Sequence, residues 1–316
     1  MTGYDIIGDV HGYADRLTNL LGILGYTEVD GVWTPSDDRK AVFVGDLIDR
    51  GEKQLETLRI VRAMERDGHA HVVMGNHEYN AIAYATVDSQ TLDYCRPHSK
   101  KNKHQHEAFI GEVDFGSPLH RSIIGWFMKM PLWLDLGGIR VVHACWSEAH
   151  MEELEPLLTK EQGMWRLTPQ AVVETSRRDS DPYDALEVLL KGPEIEMDGY
   201  HYYDKDGHRR KKARVAWWKA EAETLRDLAI VPGGSELRAP DGTEASELPA
   251  NGLTGPVPRY DSEVPVFVGH YWRSGSRTLL ADQVACVDYS AGKGGPLVAY
   301  RWDGETVLDR AKFVVG

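Results

Sequence analysis

Residues 41–51 read Ala-Val-Phe-Val-Gly-Asp-Leu-Ile-Asp-Arg-Gly, a short apolar run that ends in a glycine and an aspartate. An apolar run of this length bounded by glycine is typical of a buried strand. The same order of apolar run, glycine and polar side chain recurs in residues 4–12 and 71–78, and the leucines of residues 17–24 have helical spacing. Strands that alternate with helices in this way predict an α/β fold with a partly parallel sheet.

Five side chains that could bind a metal ion each follow a predicted strand directly or one residue later. They are Asp9, Asp46, Asn76, His143 and His270. In open α/β sheets ligands bind beyond the carboxyl ends of the strands, so we expect these side chains to converge at one edge. Carboxylates mixed with imidazoles suit manganese, iron or zinc better than calcium. Two such ions about 3.5–4 Å apart can activate a water and stabilise a phosphoryl transfer.

The composition of the 316-residue chain is that of a globular protein, with 42% hydrophobic and 27% charged residues. A formal net charge of −13 argues against nucleic-acid binding through a general basic surface. The chain contains neither an apolar run long enough to span a bilayer nor a basic, apolar start typical of a signal peptide. We therefore expect a cytoplasmic protein without a membrane partner. Its three cysteines are far apart and predict no disulfide framework.

Two stretches, residues 86–131 and 150–262, interrupt the regular pattern. We interpret them as insertions that form a cap beside the metal edge of one domain spanning residues 1–316. The basic run at residues 98–106 is predicted to be a solvated loop, or else a lid that touches an anionic substrate. The pair at Trp217 and Trp218 is predicted to pack inside the second insertion, with base stacking as the alternative.

Three motifs carry a family resemblance. Gly-Asp-Val-His-Gly at residues 8–12, Gly-Asp-Leu-Ile-Asp-Arg-Gly at 45–51 and Gly-Asn-His-Glu at 75–78 resemble successive signatures of the calcineurin-like metallophosphoesterases, in their phosphoprotein-phosphatase branch. His-Ala at 143–144 and Gly-His at 269–270 continue the match in order. The His-Ala pair is most similar to bacterial relatives that cut diadenosine tetraphosphate, and to the phosphatase domain of bacterial polynucleotide kinase-phosphatases.

The resemblance implies a fold and a set of site residues. The fold would be two mixed β-sheets in a sandwich flanked by helices, and the cofactor two divalent transition-metal ions. Manganese is the first choice, with iron, zinc, nickel and cobalt as alternatives. The implied metal ligands are Asp9, His11, Asp46, Asn76, His143 and His270, with Asp46 shared between the ions. The implied catalytic residues are His77 as general acid, Asp49 to orient it and Arg50 to clamp the phosphate. Asn76 and Arg166 are expected to contact the substrate with Arg50. Apart from the resemblance, Glu78 is expected to support the loop or cap a helix rather than bind metal.

The reaction implied by the resemblance is hydrolysis of a phosphomonoester or phosphoanhydride by a metal-bound hydroxide. The substrate would be a phosphorylated small molecule, a nucleotide or a nucleic-acid end, and no obligate protein partner is implied. A dinucleoside polyphosphate hydrolase is the alternative, followed by a protein serine/threonine phosphatase. That last assignment is weakened by His-Ala-Cys at residues 143–145, where protein phosphatases carry His-Gly-Gly. A metal-stabilised binding module without catalysis would lack the acid or the clamp, yet His77, Asp49 and Arg50 are all present.

Overall fold

The computed structural model describes residues 3–204, 207–233, 235–253 and 256–316. The chain divides into two compact units: the first comprises Met1–Leu190 and Glu263–Gly316, and the second Lys191–Ser262. No helix of the described chain is both long and apolar enough to cross a lipid bilayer.

The strands are β1 Tyr4–Ile7, β2 Thr27–Val29, β3 Val32–Thr34, β4 Lys40–Phe43, β5 Ala70–Val72, β6 Trp133–Asp135, β7 Arg140–Val142, β8 Leu158–Glu161, β9 Met164–Leu167, β10 Glu194–Glu196, β11 His201–Tyr203, β12 Arg209–Arg210, β13 Lys212–Val215, β14 Ala229–Ile230, β15 Glu236–Arg238, β16 Val266–Val268, β17 Val284–Cys286, β18 Val298–Trp302 and β19 Phe313–Val315. The helices are α1 Ala14–Ile23, α2 Gln54–Arg66, α3 Asn76–Ala85, α4 Lys100–Val113, α5 Pro118–Phe127, α6 Glu148–Leu154, α7 Pro169–Glu174, α8 Asp181–Lys191 and α9 Leu225–Leu228.

The first unit contains a five-stranded sheet in the order β19-β18-β1-β4-β5. Strand β1 is parallel to β4, and β4 is parallel to β5, while β18 is antiparallel to both β1 and β19. Ile7 pairs with Phe43, and Phe43 with Val72, so the three parallel strands end at nearly the same level. The loops that follow them therefore leave the sheet side by side.

A second sheet of the same unit has the order β17-β16-β7-β6. Strand β16 is parallel to β17 and β7, and β6 is antiparallel to β7. A buried cluster joins side chains from both sheets, among them Val42, Val141, Phe267 and Tyr300. Complete burial of one such side chain stabilises a fold by about 1.5–3 kcal/mol. The predicted sandwich of two mixed sheets is confirmed.

The helix after β1 has the predicted apolar face, and the helix after β4 also has one. Leu17, Leu20 and Leu21 of α1 are buried, as are Leu58 and Val61 of α2. These side chains repeat at three- and four-residue intervals, the spacing that places them on one side of a helix.

Residues 86–131 are more regular than predicted, because they contain α4 and α5. Ser99 caps α4 by accepting a hydrogen bond from the backbone N–H of Asn102, and Ser117 caps α5. The prediction of a solvated loop at residues 98–106 is therefore wrong, since α4 begins at Lys100. The buried face of α4 consists of only His106, Phe109 and Val113. Because one of these three is a histidine within a basic run, the sequence shows no clear apolar helical spacing.

The predicted second insertion is divided between the units, since residues 150–190 belong to the first. The second unit holds two three-stranded sheets, β10-β13-β14 and β12-β11-β15. Trp217 is fully buried there, edge-on to Trp218 at 5.6 Å and to Tyr260 at 6.0 Å. The prediction that the tryptophans pack within this segment is confirmed, while a capping role stays a prediction.

Candidate metal centre

All six predicted metal ligands lie in loops at the carboxyl ends of strands, or at the helix that follows one. Asp9 and His11 follow β1, and Asp46 follows β4. Asn76 is the first residue of α3, immediately after the β5 loop. The other two, His143 and His270, follow β7 and β16, so both sheets supply ligands.

Asp46 is at the middle of this cluster. Its Oδ2 atom lies 3.8 Å from Nε2 of His11, and its Oδ1 atom lies 3.4 Å from Nε2 of His143. Among the residues that the structure describes, two groups of side chains could hold a metal ion: His11, Asp46 and His77 form one, and Asp46, His143 and His270 the other. In each group the ligand atoms lie within 4.8 Å of one another, and Asp46 belongs to both.

Asn76 lies between the two late histidines. Its Oδ1 atom is 3.2 Å from Nε2 of His143 and 2.8 Å from Nδ1 of His270. One amide oxygen thus faces two imidazole nitrogens, which could bind the same ion with it.

Backbone carbonyls orient two of the histidines. Nδ1 of His11 donates a hydrogen bond to the carbonyl of Ile48 at 2.8 Å, and Nδ1 of His143 donates to the carbonyl of Val44 at 2.6 Å. When Nδ1 carries the proton, the lone pair of Nε2 is available to a metal. Both Nε2 atoms face Asp46.

The buried carboxylates require positive charge. Oδ1 of Asp9 is buried and has no hydrogen-bond partner among the residues that the structure describes. Burial, and then the charges of Asp288 and Asp46, raise the pKa of Asp9 well above its usual value. The pKa of His143 rises to about 10 because Asp46 outweighs the effect of burial. A divalent ion would meet the same need for positive charge, so these residues fit a metal centre.

The backbone of the site is strained. Four of its residues have positive φ angles: 52° at His11, 52° at Asp46, 74° at Asp49 and 68° at His270. Residues other than glycine rarely adopt this left-handed region. Such residues concentrate at functional sites, where the surrounding structure holds them in place. A Cβ atom at Gly269 would lie 2.1 Å from Oδ1 of Asp9, so this predicted ligand requires glycine beside it.

Glu78 supports the loop that carries Asp46. Its two carboxylate oxygens accept hydrogen bonds from the backbone N–H groups of Asp46 and Leu47, both at 2.8 Å, and of Gly75 at 3.0 Å. The prediction that Glu78 stabilises a loop is confirmed.

The predicted acid lies beside the cluster. Nδ1 of His77 donates to Oδ2 of Asp49 at 2.8 Å, and its Nε2 atom lies 3.9 Å from Oδ2 of Asp46. Burial acts to lower the pKa of His77, but the carboxylates of Asp46 and Asp49 raise it above its ordinary value. Arg50 is exposed at the same edge, with its guanidinium carbon 5.9 Å from the centre of the Trp272 ring.

Comparison with known proteins agrees with this geometry. The family model for calcineurin-like phosphoesterases matches residues 4–270. The chain belongs to this family. The resemblance seen in the motifs is thereby confirmed.

Two curated relatives of this calcineurin-like phosphoesterase are bis(5'-nucleosyl)-tetraphosphatases named PrpE. The protein of Bacillus subtilis is 46% identical over 148 residues, which cover 45% of this chain and 57% of that protein. The protein of Bacillus velezensis is 34% identical over 148 residues, covering 45% and 55%. The chain thus spans about half the length of the curated relatives it matches.

Among solved structures, a cold-active protein tyrosine phosphatase superposes with a TM-score of 0.50 at 18% identity, over 100% of this chain and 78% of that one. At this identity the likeness shows the fold alone.

Sequence reasoning did not place three side chains at the site of this calcineurin-like phosphoesterase, although one of them, His106, lies in the run predicted to be a loop or a lid. His106 donates from Nδ1 to Oδ1 of Asp49 at 2.8 Å. Asp288 accepts a hydrogen bond from the backbone N–H of Trp272 at 2.7 Å, and Nζ of Lys293 lies 3.3 Å from the centre of the Trp272 ring. Asp288 follows β17 by two residues, so the rule of polar residues beyond strand ends could have found it.

Arg166 is not brought into the cluster. It lies on β9, where its Nη1 atom forms an ion pair with Glu161 at 2.6 Å. None of the contacts described for it involves the six predicted ligands. A substrate contact by Arg166 stays a prediction, without support from this arrangement.

Proposed function

We propose that this protein hydrolyses a phosphomonoester or phosphoanhydride with two divalent metal ions. The observation that carries the proposal is the position of Asp46, whose two oxygens face separate groups of histidines. Asp46 would be shared between the ions. Asp9 and His11 would complete the first site, and Asn76, His143 and His270 the second.

The donor set also bears on the metal. Imidazole, carboxylate and amide donors together suit a first-row transition ion better than calcium, which takes oxygen ligands. Manganese is our first candidate, and iron, zinc, nickel and cobalt are the alternatives. Bound ions would neutralise charge on the phosphate oxygens and activate the attacking water.

His77 is suited to protonate the leaving oxygen. The hydrogen bond from its Nδ1 atom to Asp49 fixes the ring, so Nε2 faces the cluster and would deliver the proton there. Arg50 extends an exposed guanidinium at the same edge. Its paired N–H groups can bind two phosphate oxygens at once.

The test is reconstitution of the chelator-treated protein with single metals. Activity would be measured on p-nitrophenyl phosphate, bis-p-nitrophenyl phosphate, diadenosine tetraphosphate, a phosphopeptide and an RNA with a terminal phosphate. We expect turnover to be lost on chelation and restored by a transition ion. Full activity of metal-free protein would contradict the proposal, as would a lack of turnover on every substrate with every metal.

A second candidate, hydrolysis of a dinucleoside polyphosphate, is favoured by an additional cation. The 3₁₀ turn Ala291–Lys293 packs on the metal edge, since a Cβ atom at Gly292 would lie 2.7 Å from the His11 ring and 3.2 Å from Cγ of Arg50. Lys293 and Arg50 both lie against Trp272. A second positive charge is suited to phosphates beyond the one attacked. The two tetraphosphatases that share sequence with this chain agree with this candidate.

Lys293→Met tests this candidate. We expect kcat/KM for diadenosine tetraphosphate to fall about tenfold, the effect of one exposed charge-assisted contact, with little change for p-nitrophenyl phosphate. Lys129→Met removes another exposed lysine as the control. Equal effects on both substrates would exclude Lys293 as a polyphosphate contact.

A further inference from the structure

Asp49 is held by two histidines. Its Oδ2 atom accepts a hydrogen bond from Nδ1 of His77, and its Oδ1 atom from Nδ1 of His106, both at 2.8 Å. All three side chains are buried. The motifs explain His77 and Asp49, but His106 belongs to none of them.

Helix α4 holds His106 in place and also fixes the segment after Asp49. Glu112, farther along α4, accepts hydrogen bonds from the backbone N–H groups of Gln54 at 2.7 Å and Leu55 at 2.9 Å, at the start of α2. The side chain of Gln54 in turn accepts from the backbone N–H of Asp49 at 2.9 Å. The helix is therefore joined both to the Asp49 carboxylate and to the backbone behind it.

A second donor matters because an aspartate carboxylate rotates readily about its Cβ–Cγ bond. If His77 were the only donor, Oδ1 of Asp49 would lose the hydrogen bond from His106. A buried charged oxygen without that hydrogen bond is destabilising. Burial raises the pKa of Asp49, but the hydrogen bonds from His106 and His77 outweigh it and keep the pKa below its ordinary value.

The surroundings of His106 argue against packing as its whole role. Its ring lies against Phe109 at 5.1 Å and Tyr84 at 5.3 Å, an environment that would accept phenylalanine. Its Nε2 atom is buried and has no hydrogen-bond partner in the part of the chain that the structure describes. A histidine at this position leaves its Nε2 atom buried and unsatisfied, a cost that phenylalanine would not have. The hydrogen bond from Nδ1 to Asp49 is therefore the feature that packing alone does not explain.

We propose that His106 is a positioning residue, which fixes the Asp49 carboxylate and through it the ring of the general acid His77. The proposal rests on the phosphoesterase function proposed above. Removal of the donor should leave metal binding and KM unchanged and lower kcat, most of all for substrates whose leaving group needs a proton.

The first test compares His106→Phe with His120→Phe. His120 is also buried, lies near Phe109 and has an Nε2 atom without a partner among described residues, but it has no described contact with Asp49. We expect His106→Phe to lower kcat on an alkyl phosphate by about 10- to 100-fold, the scale of a small misplacement of a catalytic group. The loss on p-nitrophenyl phosphate should be smaller, and His120→Phe should affect both substrates equally.

A second pair of variants tests the proposal even if the phenylalanine variant does not fold. His106→Asn keeps an N–H donor near the position of Nδ1, whereas His106→Gln moves it towards Nε2. Both are polar and of similar size, and we expect only the asparagine variant to recover most of the activity. Equal activity of the two would overturn the proposal.

The decisive experiment combines His106→Phe with His77→Asn. If His106 acts through Asp49 on His77, the double variant should be no slower than His77→Asn alone. A further loss of similar size in the double variant would mean that His106 has only a structural role.

A readout independent of turnover is the Nδ1–H proton resonance of His77, which we expect to shift and broaden in His106→Phe and to be unchanged in His120→Phe. Failure of the proposed function is distinguishable, because the wild-type protein would then show no turnover while this resonance still responded to His106.

Discussion

Glu78 accepts a hydrogen bond from the backbone N–H of Asp46 at 2.8 Å, so a helical residue and a loop residue of two different motifs are directly connected. The strained backbone of Asp46 is thereby held by α3.

Glu78→Ala should destabilise the protein and weaken metal binding. The substitution would leave the buried N–H groups of Asp46, Leu47 and Gly75 without their acceptor. An unsatisfied buried donor costs about 1–3 kcal/mol, and partial relaxation suggests a total loss of about 2–4 kcal/mol. Chemical denaturation of the metal-free protein measures this. Glu56→Ala, an exposed position on α2, is the control, and equal stability of the two variants would contradict the prediction.

Asp46→Asn should reduce bound metal from about two ions to one or fewer. The substitution replaces one oxygen of the carboxylate that we propose is shared between the ions by a nitrogen that donates rather than accepts. Elemental analysis after reconstitution and desalting gives the metal content. Asp15→Asn removes an exposed carboxylate of the first unit and should retain the wild-type content. Two retained ions in Asp46→Asn would mean that Asp46 is not the shared ligand.

His77→Asn should leave the metals bound and slow turnover. General acid catalysis is worth about 10²–10⁴-fold, and it matters most for leaving groups that are poor when unprotonated. The loss in kcat should therefore be larger for an alkyl phosphate than for p-nitrophenyl phosphate. Steady-state kinetics on both substrates, with metal content measured in parallel, provide the test. Identical losses would count against His77 as the acid.

Neutralisation of Lys100, Lys101 and Lys103 with glutamine tests the predicted lid. These residues are exposed in the first turn of α4, where positive charge opposes the helix dipole. The triple variant should therefore be no less stable than wild type in thermal melts. If the lysines meet an anionic substrate, kcat/KM should fall for diadenosine tetraphosphate and barely change for p-nitrophenyl phosphate. An unchanged ratio would show that the lysines only face solvent.

The parts of the site near each strand could be predicted from sequence because they depend on local pattern. An apolar run followed by Gly-Asp or Gly-Asn places a polar side chain at a strand end, and parallel strands bring such ends together. This reasoning located Asp9, Asp46 and Asn76, and it extended to His143 and His270 in the second sheet. The motif resemblance supplied His77 and Asp49, which the structure joins by a hydrogen bond.

Only the tertiary structure could identify His106 and Lys293. His106 is 57 positions from Asp49, in a basic stretch whose composition predicted a loop. Lys293 and Arg50 both come near Trp272 only because the segment after β17 packs on the loops after β1 and β4. Neither contact produces a periodic pattern in the sequence, because each contact depends on how separate elements pack. Sequence by itself determined which strand ends carry the predicted metal ligands, and packing decided which distant side chains contact and surround them.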